Sequence, residues 1–375
     1  MAATQMDEAA SSLDDVIKPT LSLEDVNDLV SRLYNITAQS IKQLDSYDDQ
    51  NFHIVAKSAT SKRSEYVLKI INANDSKNEV LLDAQTQMML QLIEKGFVCP
   101  NPIRLPTGEY MTLEPINGQK GCFNHMVRLL SYIPGMLYKS VDMTSDLCYH
   151  AGQHLGRMHM ALKGFQHEGL NRPDFLWNLV NTHRLEKYVN VFSEERQKII
   201  LNFFIKMFKE KVIPKYPLLA KGAIHGDFNE FNILVAPKEV NSNIVTGKSG
   251  SCTYEICGIL DFGDVQYNYY VFDAAIAIMY TMLQSQDPIT AGGHVLAGYL
   301  STFPLSELEL DLIYYCIGAR ICQSLILGMY TYTLHPTNTY LLATQETGWK
   351  VLELLYSTSK EEIEKAWNKI VSSSC

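Results

Sequence analysis

The chain has 375 residues, of which 46% are hydrophobic and 19% are charged, and its formal net charge is −9. This is the composition of a globular protein, so it excludes an intrinsically disordered chain. The length exceeds the size at which a single core stops growing, and one large lobe or two closely joined lobes are expected. The acidic balance, without any basic run, excludes a nucleic acid partner and is compatible with a cationic small molecule.

The eight cysteines are scattered, without the density of a disulfide framework or the spacing of a zinc site. They predict reduced thiols and a cytoplasmic protein. Residues 1–19 are acidic and lack an apolar segment, so neither a signal peptide nor a transit peptide is expected. The longest apolar stretches, residues 271–283 and 312–330, are interrupted by Asp273 and by Arg320, and they predict buried helices rather than membrane spans.

The first part of the chain predicts a small β-rich lobe. After a disordered tail over residues 1–20, Ser22 and the acidic residues that follow it predict the start of a helix. Strands are expected at residues 41–44, 52–55, 66–71, 110–113 and 125–132, and a second helix at residues 77–95. Ile133-Pro134-Gly135 ends the last strand. We therefore place a domain boundary there, with the N-lobe over residues 21–132 and the C-lobe over residues 133–375.

The C-lobe is predicted to be mainly helical. Helices are expected at residues 145–165, within 185–220, from residue 271, and at 312–334 and 344–371. Two strands, residues 232–235 and 254–260, flank a Gly- and Ser-rich stretch that predicts an exposed hairpin loop. Three histidines, His150, His154 and His159, share the first helix. The spacing His-x3-His places two imidazoles on one face, but no third ligand follows this pair at ligand spacing, so a metal site is not predicted there.

Two short motifs beside strand-like runs carry the chemistry. The first, His225-Gly226-Asp227, continues to Asn232 in the pattern Asp-x4-Asn, and the second is Asp261-Phe262-Gly263. A carboxylate at Asp227 can orient a substrate hydroxyl and accept its proton. Amide and carboxylate oxygens at Asn232 and Asp261 can hold Mg²⁺ on nucleotide phosphates. The order and spacing of these residues therefore predict phosphoryl transfer.

With these motifs the chain resembles the superfamily of aminoglycoside phosphotransferases and choline kinases, small-molecule kinases whose catalytic loop reads His-Gly-Asp. The resemblance runs from about residue 22 through nearly the whole chain. It implies an α+β, bilobal protein-kinase-like fold with a small β-rich N-lobe and a large, mainly helical C-lobe. Residues 46–53, 65–70, 258–264 and 269–272 are most similar to the kinases of 5-hydroxy-L-lysine, which implies this acceptor, GTP as donor and Mg²⁺ as cofactor.

The resemblance also implies which N-lobe residues bind the donor, GTP or ATP. They are Ser46, Gln50 and Asn51 in the phosphate-covering turn, Lys69 in a strand, and the hinge backbone from Leu130 to Tyr132. The turn lacks the glycine that usually lets backbone N–H groups approach phosphates. A buried lysine needs a carboxylate partner. The helix over residues 77–95 offers Glu79 and Asp83, whereas Gln85 stands where many members of the superfamily have glutamate.

An aminated acceptor needs acidic or aromatic partners beside the catalytic loop. The candidates are Asp264, Glu230, Asp273, Tyr267 and Tyr270. Asp264 directly follows Asp-Phe-Gly and equally suits a capping or bracing role. Arg320, on a buried helix, is a candidate ligand for an acceptor carboxylate. The acceptor class is therefore an amino alcohol or a hydroxy amino acid. A choline- or ethanolamine-type kinase and a catalytically silent pseudokinase remain the alternatives.

Overall fold

The computed structural model describes residues 16–46, 48–57, 64–118, 121–238, 253–336 and 338–374. The chain divides into two compact units, residues 1–134 with 167–169, and residues 135–166 with 170–375. The main boundary falls after Pro134, whereas the sequence predicted it after residue 132, and residues 167–169 also belong to the first unit. The predicted tail lies outside the described residues over 1–15. At residues 16–20 the structure differs from the prediction, because the main chain of Ile17 bonds to Ala73 and to the side chain of Asn74.

The first unit is built on an antiparallel sheet. Its helices and strands are α1 (Leu23–Tyr34), β1 (Ala38–Leu44), β2 (Gln50–Ala56), β3 (Ser64–Ile70), α2 (Glu79–Glu94), β4 (Pro102–Ile103), β5 (Thr112–Gly118) and β6 (Gly121–Ser131). The strand order is β1-β2-β3-β6-β4, and β5 also pairs with β6. These elements confirm the predicted helices and strands of this region with shifted ends, and they add the short strand β4.

Helix α1 begins where the sequence predicts it. The Ser22 hydroxyl accepts the N–H of Asp25 at 3.2 Å, and the Asp25 carboxylate accepts the N–H of Ser22 at 2.9 Å. This reciprocal cap stabilises the first turn. The apolar face of α1 packs against alternate residues of the sheet, among them Leu68 and Ile70. Because strand side chains alternate, Lys69 between them lies on the opposite face.

The second unit is mainly helical. Its elements are β7 (Met136–Leu137), α3 (Ser145–Ala161), α4 (Glu195–Met207), β8 (Lys221–Ile224), β9 (Ile233–Pro237), β10 (Tyr254–Ile259), β11 (Gln266–Tyr269), α5 (Tyr270–Gln284), α6 (Pro288–Leu300), α7 (Glu307–Leu334), α8 (Gln345–Ser357) and α9 (Lys360–Ser374). Antiparallel strands form a sheet β10-β9-β7 and a pair β11-β8. Other helical segments flank α4. A 3₁₀ helix at Leu179–Val191 precedes it, and a π-helical turn at Phe208–Val212 and a 3₁₀ helix at Ile213–Leu218 follow it.

Two predictions for this unit need correction or fall outside the described residues. The single helix predicted over residues 344–371 is two helices, α8 and α9, because the backbone leaves the helical region at Thr358. The loop predicted between β9 and β10 lies almost entirely outside the described residues. The strands that flank it are paired as predicted, with Ile233 opposite Ile259.

Helices α5 and α7 form the centre of this unit. Nearly every side chain of α5 is buried, as its all-round apolar sequence predicts. By length and composition α7 could cross a membrane, but 89% of its apolar window is buried within the protein. A core helix of a soluble protein passes the same test, so α7 is weak evidence for a membrane span.

Helices α3 and α6 approach each other closely through glycine. A Cβ atom at Gly152 of α3 would overlap the carbonyl oxygen of Val295, and one at Gly298 of α6 would overlap that of Tyr149. Backbone atoms cannot move aside as flexible side chains can. This approach matters for the site described below, because α3 and α6 each supply one residue to it.

Gly152→Ala is therefore expected to destabilise the protein by about 1–3 kcal/mol, the usual cost of overpacking. The overlap acts against the ~1 kcal/mol by which alanine is otherwise favoured over glycine within a helix. The measurement is the midpoint of thermal or denaturant unfolding. Gly292→Ala on α6 is the matched control, because its Cβ would meet only side-chain atoms of Ile278 and Met282, at 3.1 Å. Equal stability of both variants would contradict this account of the helix contact.

Candidate active site

The catalytic loop begins where β8 ends. The chain turns through His225 and Gly226 to Asp227, and Gly226 has a φ of 79°, in the left-handed region. A Cβ atom at this position would also overlap the carbonyl oxygen of Asp264. Only glycine meets both requirements. This close approach brings the first motif against the segment that follows Asp261-Phe262-Gly263.

Asp273, which the sequence offered as a partner for an acceptor amine, is instead a buried carboxylate that holds this turn. Asp273, in the first turn of α5, accepts the backbone N–H groups of His225 and Gly226, both at 2.9 Å, and the Nε2–H of His159 at 2.9 Å. Burial raises the pKa of Asp273, but the hydrogen bond and charge of His159 outweigh it, so the pKa lies below its ordinary value. The Tyr299 hydroxyl bonds the other ring nitrogen of His159 at 2.8 Å. A chain of side chains from α3, α5 and α6 thus fixes the loop.

The carboxylate of Asp227 receives three side-chain hydrogen bonds. Arg320 Nη2 lies 3.1 Å from Oδ1, and the amide groups of Asn229 and Asn232 donate to Oδ2 at 2.7 and 3.0 Å. Burial raises the pKa of Asp227, and the Arg320 guanidinium opposes that shift. The side chain is 25% exposed. Since each carboxylate oxygen offers two acceptor positions, Oδ1 keeps one that a substrate hydroxyl could occupy.

The predicted metal ligands lie at adjacent strand ends. Leu260 donates its backbone N–H to the carbonyl of Asn232 at 2.7 Å, which places Asp261 next to that residue. The side-chain amide nitrogen of Asn232 donates to the backbone carbonyl and to Oδ2 of Asp227, each at 3.0 Å. The amide oxygen of Asn232 is therefore directed away from Asp227. Asp261 is exposed, and its φ of 55° lies in the left-handed region, which Asp and Asn adopt more readily than other non-glycine residues.

These oxygens fit Mg²⁺, which prefers hard oxygen ligands. Across the described residues, no group of three or more His, Cys, Asp or Glu side chains could hold a metal. A site of one amide and one carboxylate oxygen agrees with this, because Mg²⁺ is usually bound by one or two protein ligands together with water and substrate phosphates.

Asp264, one of the predicted acceptor residues, interacts with the charge of Asp227. Burial and the charge of Asp227 raise the pKa of Asp264 to about 7, and Arg172 opposes this. Arg172 also donates to the carbonyls of Gly263 and Val265, at 2.8 and 3.3 Å. It braces the segment around Asp264, a role that no feature of the sequence around Arg172 suggested.

Glu230 is also buried beside the catalytic loop. Its Oε1 accepts the amide of Gln284 at 3.0 Å, whereas its Oε2 is buried without a hydrogen-bond partner among the described residues. Burial raises the pKa of Glu230 to about 7. Tyr267 differs from it. This side chain is 43% exposed on β11, and its described interactions do not join it to Asp227.

The sequence predicted that Arg320 binds an acceptor carboxylate, but in the structure Arg320 is not accessible to one. It is 1% exposed, and its two terminal nitrogens already donate to protein acceptors. The acceptors are Asp227 Oδ1 and Tyr280 OH for Nη2, and Gln323 Oε1 and the Trp177 carbonyl for Nη1. The prediction failed because a single sequence does not show that Arg320 and Asp227, 93 residues apart, meet.

In the first unit, Lys69 pairs with a carboxylate that the sequence did not nominate. Its Nζ lies 3.2 Å from Asp49 Oδ2, and the two side chains are 14% and 15% exposed. Asp49 Oδ1 accepts the N–H of Asn72 at 2.9 Å, which fixes the carboxylate. The described carboxylate partner of Lys69 is thus Asp49, rather than Glu79 or Asp83 of α2. Asp83 instead pairs with His167 at 3.1 Å.

The predicted phosphate-binding residues separate by sheet face. Asn51 lies opposite Lys69 in the β2–β3 register and shares its face. Gln50 lies on the other face, where its amide accepts the N–H of Leu21 at 2.9 Å and donates to its carbonyl at 3.1 Å. The structure thus corrects the prediction for Gln50, whose side chain anchors the segment before α1. Ser46 is exposed in the turn.

The predicted hinge lies at the end of β6. Leu130 is buried and pairs with Val67 of β3 and Pro102 of β4. The N–H of Tyr132 is donated to the carbonyl of Glu65 at 3.0 Å, so it is already used within the sheet. Recognition of a nucleotide base by this backbone stays a prediction.

Comparison with known proteins identifies the family of this chain. The model of the phosphotransferase enzyme family matches residues 40–308. The chain therefore belongs to the phosphotransferase enzyme family, and it is a small-molecule kinase that acts on a hydroxyl acceptor. Within that class it is similar to the hydroxylysine kinases of Danio rerio and Mus musculus, at 37% and 36% identity. Each match covers 93% of this chain, and they cover 96% and 93% of those proteins.

Solved structures confirm the predicted α+β, protein-kinase-like fold class. An amicoumacin kinase in complex with AMP-PNP and Ca²⁺ has a TM-score of 0.62 at 17% identity, covering 88% of this chain and 94% of that one. The GDP complex of aminoglycoside 2′-phosphotransferase-IIIa has a TM-score of 0.55 at 15% identity, covering 90% and 98%. At these identities the likeness concerns the fold alone.

Proposed function

We propose that this protein transfers the γ-phosphoryl group of GTP or ATP to the hydroxyl of 5-hydroxy-L-lysine. The observation that carries the proposal is the fixed carboxylate of Asp227, with one acceptor position open on Oδ1, beside Asn232 and Asp261. Phosphoryl transfer depends mainly on positioning and charge stabilisation, which such an arrangement supplies. Similarity to hydroxylysine kinases over 93% of the chain supports the choice of acceptor.

Each motif residue has a role in this proposal. Asp227 orients the acceptor hydroxyl and accepts its proton. Asn232 and Asp261 would hold Mg²⁺, which when bound offsets negative charge on the donor phosphates. Lys69 contacts the phosphates, and Asp49 keeps its ammonium paired until the donor binds. Asn51, in β2, shares the face of Lys69 and is the predicted phosphate-binding residue best placed to assist it.

The acceptor amines are proposed to face the carboxyl groups around Asp227. Asp264 lies in the segment that contacts Gly226, and Glu230 has a buried carboxyl oxygen that lacks a hydrogen-bond partner among the described residues. An ammonium group beside either carboxylate gains a charge-assisted hydrogen bond. This arrangement favours a cationic acceptor over a neutral alcohol.

The donor base is a separate choice. Among the similar solved structures one holds AMP-PNP and another holds GDP, so this fold accommodates adenine and guanine nucleotides. GTP is proposed for this chain because residues 46–53 and 258–264 resemble those of 5-hydroxy-L-lysine kinases. Both donors therefore belong in any assay.

The test is nucleotide consumption by the purified protein with GTP and ATP in parallel. The acceptors are 5-hydroxy-L-lysine, L-homoserine, choline and ethanolamine, and the product is identified by phosphorus NMR. We expect kcat/KM to be highest for 5-hydroxy-L-lysine. L-Lysine is the matched control, since it retains the charges and lacks the hydroxyl, and it should not be phosphorylated.

Two other outcomes would replace the proposal. Higher kcat/KM with choline or ethanolamine would make this an amino-alcohol kinase. Nucleotide binding without turnover on any acceptor would indicate a pseudokinase. Calorimetric titration with each nucleotide separates this second outcome from an inactive preparation, because a folded pseudokinase still binds the nucleotide.

A further inference from the structure

Arg320 is a buried cation at the centre of the second unit. Its side chain is 1% exposed, and its guanidinium carbon lies 5.1 Å from the centre of the Trp177 ring and 5.6 Å from that of Tyr280. Burying a charge in such surroundings has a large desolvation cost unless the charge is paired. Asp227 supplies the pairing carboxylate, at 3.1 Å.

The remaining bonds of the guanidinium hold it in one place. Nη1 donates to Gln323 Oε1 at 2.9 Å and to the Trp177 carbonyl at 3.3 Å, and Nη2 also reaches the Tyr280 hydroxyl at 3.4 Å. Gln323 is itself fixed, because its amide nitrogen donates to the carbonyl of Leu176 at 2.8 Å. The planar guanidinium therefore has a fixed orientation when it meets Asp227.

The hydrogen-bond inventory argues against direct binding of an acceptor by Arg320. A guanidinium has five N–H groups. Four are engaged by the acceptors named above, and Nε is buried without a hydrogen-bond partner among the described residues. One buried N–H cannot provide the paired contacts by which arginine recognises a carboxylate. Of the residues that Arg320 contacts, Asp227 is the one assigned to the acceptor hydroxyl.

We infer that Arg320 is a positioning residue, which acts through Asp227 by fixing Oδ1 while Asn229 and Asn232 fix Oδ2. Three donors on two oxygens leave the carboxylate little freedom to rotate, and the open acceptor position of Oδ1 then points in one direction. Misplacement of a reacting group by about 1 Å costs on the order of 100-fold in rate. This inference rests on the proposed role of Asp227 in phosphoryl transfer.

The test is a double-mutant cycle with Arg320→Met, Asp227→Asn and the double variant. The kcat and both KM values are measured with 5-hydroxy-L-lysine and GTP, or with the better pair from the acceptor panel. We expect Arg320→Met to lower kcat about 100-fold with little change in KM for the donor. In the Asp227→Asn background it should cause almost no further loss, because interacting residues are not additive. Arg196→Met, at an exposed arginine, is the control that should retain wild-type kinetics.

The outcomes separate the two levels of the argument. If Arg320→Met lowers kcat by the same factor in both backgrounds, Arg320 acts elsewhere and this inference is wrong while the role of Asp227 stands. Near-wild-type kcat in Asp227→Asn would refute the proposed role of Asp227, and this inference with it, while turnover of the acceptor panel tests the proposed function separately. Circular dichroism verifies folding. If Arg320→Met does not fold, Gln323→Leu replaces it in the same cycle, since it removes one anchor of the guanidinium and leaves the charge in place.

Discussion

Asp227→Asn is expected to lower kcat by about two to four orders of magnitude, the usual range for a general acid–base group. Asparagine keeps the size of the side chain and can still accept a hydrogen bond from Arg320, but it cannot take up the proton of the acceptor hydroxyl. The affinity for the donor should change little, since Asp227 is assigned to the acceptor. Steady-state kinetics give kcat, and calorimetric titration gives the Kd of the donor.

The matched control is Asp174→Asn, which removes the same charge at a carboxylate that is 80% exposed. Its kinetics should equal those of the wild type, because an exposed ion pair contributes little to stability. An Asp227→Asn variant that bound GTP weakly but turned over normally at saturating GTP would place Asp227 on the donor side. That result would reassign the residue without removing the protein from its family.

Local sequence patterns predicted most of the regular structure, because their causes are local. The start of α1 follows from Ser22 and Asp25, which cap each other within one turn. The strand holding Lys69 follows from apolar residues on either side of it. The prediction of a single helix over residues 344–371 was wrong, because the apolar spacing continues across the end of one helix into the next. The apolar spacing of α8 runs on into α9, and nothing in that spacing marks the change of direction at Thr358.

The motif residues of the site were also predictable, since a spacing of a few residues fixes them at one strand end. Asn232 and Asp261 required one further step, the pairing of β9 with β10, which the two apolar runs suggested. The side of the sheet was harder to assign. Gln50 and Asn51 are neighbours in sequence, yet the pleat turns Gln50 towards Leu21 and Asn51 towards the face of Lys69.

The supporting residues were not predictable from one sequence, because they meet the motifs only through tertiary packing. Asp273 lies 48 residues from His225, and His159 lies 114 residues from Asp273. In the sequence His159 was one of three histidines on a helix, and Asp273 was a candidate partner for an acceptor amine rather than a support of the loop. A charged residue within an all-round apolar helix was the available signal, and both Asp273 and Arg320 carry it.

Asp261→Asn is expected to remove most of the activity, by on the order of 10³-fold, which corresponds to about 4 kcal/mol of lost charge stabilisation in the transition state. Asp261 occupies the left-handed region with a φ of 55°, a conformation that asparagine tolerates well, so the backbone should be preserved. The substitution therefore changes the charge of the proposed metal ligand while keeping its place. The measurement is kcat as a function of Mg²⁺ concentration at saturating donor and acceptor.

A second readout separates loss of the metal ligand from a general disturbance of the site. Donor affinity is measured by calorimetry with Mg²⁺ and again in excess chelator. If Asp261 holds the metal, the variant should bind the donor more weakly than the wild type in Mg²⁺ and equally well in chelator, because only the metal-dependent part of binding passes through its carboxylate. Asp174→Asn should behave as the wild type in both conditions. Wild-type turnover of Asp261→Asn at saturating Mg²⁺ would show that another residue holds the metal, and the role assigned to the Asp-Phe-Gly motif would then be wrong.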